Sequence, residues 1–259
     1  MNGLGWTDYL YPAVWWTVLT LADLWNRRRG LRLYNAHFIA VTVPVSVLFW
    51  LFFEILNLIS PQWRYVGGIR SLTGQIFFGF IAFATVIPIT VEAWWLVAGE
   101  IFVPFRAQKW PVSLLFGAIF VSIPFFNRVF WWNQGMWLAP AMLMLPWAPF
   151  RRRESWGRWL AALTVSGLLS GVAWETFNWW SRTHWEYLIL PDWPHLFQMP
   201  LLGYLGFIPF TFSAHAAFEL QRRIPARPLV CALLYGAAFA GLAVLTVQYR
   251  NVGLWRTVP

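Results

Sequence analysis

Residues 172–187 read VAWETFNWWSRTHWEY, and residues 51–65 read LFFEILNLISPQWRY. Each stretch sets a glutamate in an apolar run, an asparagine three positions later, then a serine and a closing Trp-x-Tyr. Glu54 and Glu175 are 121 residues apart, as are Asn57 and Asn178, and Ser60 and Ser181. Trp63 and Tyr65 match Trp185 and Tyr187 at an offset of 122. Matches between purely apolar segments are cheap, because few residue types occur there. A shared offset across polar residues is not.

The correspondence extends outward. IPIT at 87–90 matches IPFT at 208–211, LLFGAIF at 114–120 matches LLYGAAF at 233–239, and LYPA precedes an RRR run as LAPA does later. These recurrences predict an internal duplication, with one repeat over about 8–130 and the other over about 131–259.

Composition sets the class. Of 259 residues, 59% are hydrophobic and only 11% charged, against about 25% charged in a soluble domain. Mean hydropathy is +0.54. This is the profile of an integral membrane protein. Eight apolar runs approach the roughly 20 residues a spanning helix needs: about 8–26, 35–59, 73–97, 110–127, 131–149, 157–181, 199–220 and 228–248. The expected fold is an all-α, polytopic membrane bundle of about eight helices in a single membrane domain. Four helices per repeat return the chain to its starting side, so both repeats point the same way, related by a pseudo-twofold along the membrane normal.

The net charge of +9 does not point to nucleic acid, because the basic residues fall in short runs between apolar segments. Thirteen lie in the loops after the first, third, fifth and seventh runs (Arg27–Arg29, Arg32, Arg106, Lys109, Arg151–Arg153, Arg158, Arg222, Arg223, Arg227) and six on the other side. Basic loops face the cytoplasm, which puts both termini outside and the chain in a cell membrane, expected to be the inner one. No basic segment precedes the first run, as expected of a retained helix. Cys231 is the only cysteine, so neither a disulfide framework nor a thiolate metal site is expected. No histidine box, HExxH, acidic diphosphate cluster or phosphate loop occurs, and neither metal nor cofactor is expected.

Glu54 with Asn57, and Glu175 with Asn178, share a helix face. A carboxyl at membrane depth faces the bundle interior and has a partner there. The pairs read either as a clamp between the halves or as acids available to a bound substrate. Trp50, Trp174 and Trp179 flank them as candidate walls for an apolar ligand, while Trp15, Trp16, Trp131 and Trp132 read as interfacial belts. Pro88 and Pro209 each free a carbonyl in mid-helix. Beyond them the repeats diverge: Glu92 aligns with Ser213, and Trp94 with His215. His215 reads as either a packed imidazole or a site residue, and His37, His184 and His195 as interfacial.

The Glu, the amide three residues on and the following aromatic-x-Tyr resemble membrane carotenoid hydratases. IPITVEAWW at 87–95, with Pro88 and Glu92, is similar to the Pro-x-Glu-Glu motif of heptahelical lycopene cyclases, which are also built from tandem helical repeats. The resemblance implies cofactor-independent, acid-initiated chemistry on an isoprenoid or carotenoid-like lipid: cyclisation, isomerisation or hydration, the work of a lyase or isomerase. A carboxylic acid buried away from water keeps its proton and can protonate a polyene, the cation resting against tryptophan rings. Glu175 would be the acid and Glu54 the second carboxyl, oriented by Asn178 and Asn57. Tyr65, Tyr187 and His215 would relay protons or place water. A proton-coupled carrier or lipid-binding protein is the competing reading, and a structural subunit of a membrane complex the third.

Overall fold

A computed structural model of the chain describes residues 6–105, 110–126, 133–152 and 155–258. Arg106, Lys109, Arg128, Arg153, Trp131 and Trp132, assigned above to loops or belts, lie outside the described residues, as does the start of the fifth apolar run.

The protein is mainly helical. After a 3-10 turn at Trp6–Tyr9 come α1 (Leu10–Arg27), a π-helical turn at Phe38–Thr42 running into α2 (Val43–Ile59), α3 (Leu72–Phe83), α4 (Val86–Ala98) and α5 (Trp110–Phe126). A 3-10 turn at Gln134–Trp137 then leads to α6 (Ala139–Met144), followed by α7 (Trp156–Trp180), a 3-10 turn at Leu201–Gly206, α8 (Phe207–Gln221) and α9 (Pro228–Asn251).

Five stretches are long and apolar enough to cross a membrane: Phe38–Ile59, Leu72–Ala98, Trp156–Trp180, Leu201–Gln221 and Pro228–Asn251. The other three apolar runs form shorter or more polar helices. α1 has 18 residues but carries Asp23, Asn26 and Arg27. α5 has 17. The described part of the fifth run is split between a 3-10 turn and the six-residue α6, in a segment holding Gly135, Pro140, Pro146 and Pro149.

The stretch 72–98 is interrupted at Ala84–Thr85, four residues before Pro88. Proline has no N–H to return to that turn, and Ser46 of α2 splices the break. Its hydroxyl donates to the Phe83 carbonyl (2.7 Å) and accepts from the Ile87 N–H (3.0 Å). At the matching place in the later half stands Gly167, where a Cβ would lie 2.9 Å from the Phe207 carbonyl oxygen.

α4, α7 and α8 form the packed centre, and α9 lies on α2 and α3. The outward face of α9 keeps Leu229, Leu233 and Val244 exposed, as a lipid-facing helix would. Short strands β1 (Trp63–Gly67), β2 (Phe102–Val103), β3 (Arg151–Arg152), β4 (His184–Tyr187), β5 (His195–Leu196), β6 (Met199–Pro200) and β7 (Trp255–Thr257) close the ends. No strand was expected from the sequence. The main sheet runs β4-β1-β7. β1 and β4 are antiparallel, pairing Trp63 with Tyr187, Arg64 with Glu186 and Tyr65 with Trp185.

Candidate functional site

The Glu-x-x-Asn stretches end helices α2 and α7, and the Trp-x-Tyr stretches form β1 and β4. The asparagines make that geometry. Asn57 donates to the Trp63 carbonyl (2.9 Å) and accepts from the Gln62 and Trp63 N–H groups (2.7 and 3.1 Å). Asn178 does the same for Trp185, donating to its carbonyl and accepting from its N–H, both at 2.9 Å. Each amide thus folds its strand back over its own helix, which returns a tyrosine to the glutamate.

Both glutamates are fully buried. Glu54 Oε1 accepts from the Trp50 indole and the Tyr65 hydroxyl, each at 2.5 Å, and Oε2 accepts from the Tyr249 hydroxyl of α9. Asn57 donates to the same Tyr249 oxygen (2.7 Å). Glu175 Oε1 accepts from the Tyr187 hydroxyl (2.8 Å) and the Trp185 indole (3.1 Å). Its Oε2 is buried with no protein partner among the described residues. Burial, followed by the charge of the adjacent glutamate, raises the Tyr65 and Tyr187 hydroxyls well above the usual phenol range, so both stay protonated and act as donors.

These two systems meet at one slender cavity of about 70 Å³, the space open to the centres of water-sized molecules. Its walls are almost wholly aromatic. Trp50, Trp63 and Tyr65 face it from one half, and Trp174, Trp185 and Tyr187 from the other, with Phe210 and Trp137 between them. Phe210 lies 5.9 Å from the Trp50 ring and 5.7 Å from the Trp174 ring, centroid to centroid. Neither glutamate is itself on the wall. The tyrosine hydroxyls stand between the carboxyls and the hollow.

The expected residues therefore divide. Trp50, Trp174, Tyr65 and Tyr187 line the cavity, with Glu54, Glu175, Asn57 and Asn178 directly behind. Trp179 does not: it points outward, 52% exposed, against Phe197. Glu92 and His215 are buried elsewhere, one turn or more beyond the prolines toward the basic end. Glu92 accepts from Asn26 of α1 (2.6 Å). His215 bonds the Thr90 carbonyl (3.3 Å) and stands edge-on to Trp94, 4.8 Å between ring centres. Ser213, the counterpart of Glu92, donates to the Trp137 carbonyl (2.7 Å) and accepts from the Ala141 N–H (3.0 Å).

Two belt readings also change. Trp15 is completely buried, packed on Trp174 and Phe177. His184 lies on the cavity wall, 3.8 Å from Glu186. Tyr249 and Trp137 are site residues that no local signal announces, since both come from far along the chain. Among the described residues no three His, Cys, Asp or Glu side chains converge as a metal site. Comparison with family models, curated proteins and solved structures returns no match.

Proposed function

We propose that this is an integral membrane enzyme that uses a buried carboxylic acid to protonate a double bond of an isoprenoid or carotenoid-like lipid, without a cofactor. The Tyr187–Glu175 pair carries the reading. A tyrosine O–H on an aromatic wall is backed by a buried carboxyl with one oxygen uncommitted. With Glu175 protonated and the Tyr187 O–H turned from the carboxyl to the substrate, Glu175 passes its proton to the Tyr187 oxygen as Tyr187 passes its own to an alkene carbon. The alkene π pair forms the new C–H bond and leaves a tertiary cation between the faces of Trp50, Trp174 and Trp185. Return of a neighbouring proton to Glu175 through the same hydroxyl gives a cyclised or isomerised product. Capture by water, whose surplus proton returns to Glu175 through the same hydroxyl, gives a hydroxylated one.

The architecture behind this reading is a four-plus-four duplication about a pseudo-twofold axis, with eight membrane segments, basic loops cytoplasmic and both termini outside. Two reciprocal exchanges support it. In an isologous pairing, residue i meets j′ and j meets i′. Trp63 pairs with Tyr187 and Tyr65 with Trp185, while the equivalent residues Arg64 and Glu186 meet each other, N to O 2.6 Å. Ser60 accepts from Asn133 (3.0 Å), at the start of the second repeat, and Ser181 accepts from the Tyr11 N–H (3.1 Å), at the start of the first.

The likeness to lycopene cyclases and carotenoid hydratases agrees with a carboxyl behind an aromatic-x-Tyr strand. The site proposed here uses Glu175 as the acid, with Glu54 as its structural counterpart, and leaves Glu92 a structural role beside Asn26. The test is turnover of a polyene by the purified protein, with isoprenoid extracts of expressing cells as a second readout. E175Q and Y187F should each lower turnover by roughly 10²-fold or more. Full turnover by E175Q refutes the reading, and altered uptake with unchanged lipids points to a carrier.

A further inference from the structure

Away from the β4-β1-β7 sheet lies a second, wider cleft of about 620 Å³, again counted as space open to water-sized molecules, with a predominantly polar lining. Thr42 on its wall and Glu54 at the aromatic cavity are twelve residues apart on one continuous helix, about 18 Å at 1.5 Å per residue. The two hollows are thus distinct.

The charges of the cleft do not cancel. Four arginines line it, Arg32, Arg151, Arg222 and Arg223, with two carboxylates, Glu100 and Glu219. Arg151 pairs with Glu100, and Arg222 reaches both oxygens of Glu219 (3.2 and 3.3 Å). Arg32 and Arg223 have no carboxylate partner among the described residues. Their supports are built. Buried Asp23 accepts from the Leu33 and Tyr34 N–H groups (2.7 and 3.2 Å) and pairs with Arg27, which fixes the loop carrying Arg32. Arg32 donates through Nε to the Tyr34 carbonyl (2.8 Å), leaving its two terminal nitrogens as a fork. On the facing wall, His37 holds the Ile224 carbonyl (3.1 Å), tying the 222–224 turn to the start of the second long helix. Thr42 donates to the Gln221 side-chain carbonyl (3.2 Å) at the floor, and the Gln221 amide has no protein acceptor among the described residues.

We propose that this cleft binds the phosphate group of a ligand, clamped between the guanidinium groups of Arg32 and Arg223. Two guanidinium groups on one cleft, carried by tethered segments and without carboxylate partners among the described residues, suit a tetrahedral dianion with several acceptor oxygens. A neutral polar ligand would leave the excess positive charge unanswered. The phosphate can belong to a lipid head group or to a soluble compound, and the same chemistry serves both.

Native mass spectrometry of the purified full-length protein tests this, with detergent micelles doped with phosphatidic acid in one arm and inorganic pyrophosphate in the other. Wild type should retain at least one of the two, and R32A/R223A should weaken retention by roughly tenfold or more. Retained phosphatidic acid that pyrophosphate displaces identifies a lipid phosphate, whereas retained pyrophosphate alone identifies a soluble one. R223A reads the same loss with less risk to folding, because that side chain makes no hydrogen bond among the described residues. The proposal is overturned if wild type retains neither probe, if phosphatidylcholine is held as well as phosphatidic acid, or if the variants bind like wild type. Ligand retention does not depend on Glu175, so failure here leaves the proposed chemistry standing, and the reverse.

Discussion

Glu54 and Glu175 occupy matching places at the ends of two helices, each with a tyrosine returned to it by an asparagine-held strand, yet their surroundings differ. Glu54 accepts from three donors, and both of its oxygens are engaged. Glu175 accepts from two donors on one oxygen. The third donor to Glu54, Tyr249, comes from α9, which lies against α2; the corresponding helix of the first half, α5, packs chiefly on α6 instead of on α7. No described residue gives Glu175 the third donor that Tyr249 gives Glu54, and its second oxygen is buried without a partner among them. Under the proposed duplication, one copy of the site would then serve structure and the other the proposed chemistry.

The largest expected effect is on stability, at the locked copy. Glu54→Ala strands three buried donors at once. At about 1–3 kcal/mol for each unsatisfied group, less what relaxation recovers, the loss should be roughly 3–5 kcal/mol, read from denaturation of the purified protein in detergent. Glu175→Ala strands two donors, which also border a cavity, and should cost about 1–3 kcal/mol. Equal losses, or a reversed order, would break the comparison.

The tyrosines sharpen it. Tyr249→Phe removes a donor to Glu54 and an acceptor for Asn57, for a loss of about 1–2 kcal/mol with turnover per folded molecule nearly unchanged. Tyr187→Phe should show the opposite balance, with under about 1 kcal/mol of stability and the large loss of turnover given above. A Tyr249→Phe protein as inactive as Tyr187→Phe would mean that both carboxyls take part in the reaction.

Much of this site was legible in the sequence because its polar residues recur at one spacing. Glu, Asn, Trp and Tyr at matched offsets located both carboxyls and four aromatic residues of the cavity wall, Trp63, Tyr65, Trp185 and Tyr187. What the sequence could not supply came from long-range packing. Tyr249 is 195 residues from Glu54, and Trp137 sits in a 3-10 turn in a segment rich in glycine and proline. Strands of four or five residues lack the length for a period-two signal, so β1 and β4 read as loops. Trp179 misled because, four residues along, it shares the side of α7 that carries Glu175, and only the packing at the helix end, against Phe197, shows that its ring faces outward. Trp15 misled because a tryptophan near a helix end has the same composition signal in a belt as in a core. Glu92 and His215 read as polar residues past the prolines, and only packing shows that they meet Asn26 and Trp94.

The smallest expected effect tests the symmetry itself. Arg64 and Glu186 occupy equivalent positions and pair directly across β1 and β4, each about one-third exposed. A partly exposed pair of this kind contributes about 0.2–1 kcal/mol. R64E alone sets two acids opposite each other and E186R alone two bases, and like charges directly opposite destabilise a strand pair. Each single change should therefore cost up to about 1 kcal/mol. If a pseudo-twofold passes between these residues, exchanging them maps the pair onto itself. R64E/E186R should then return to within about 0.5 kcal/mol of the parent, the residue arising from His184, which lies 3.8 Å from Glu186 and would face an arginine instead. A double variant no more stable than the worse single one would mean that the surroundings distinguish the two positions, and that the halves do not meet as equivalents at the one place where the axis must pass.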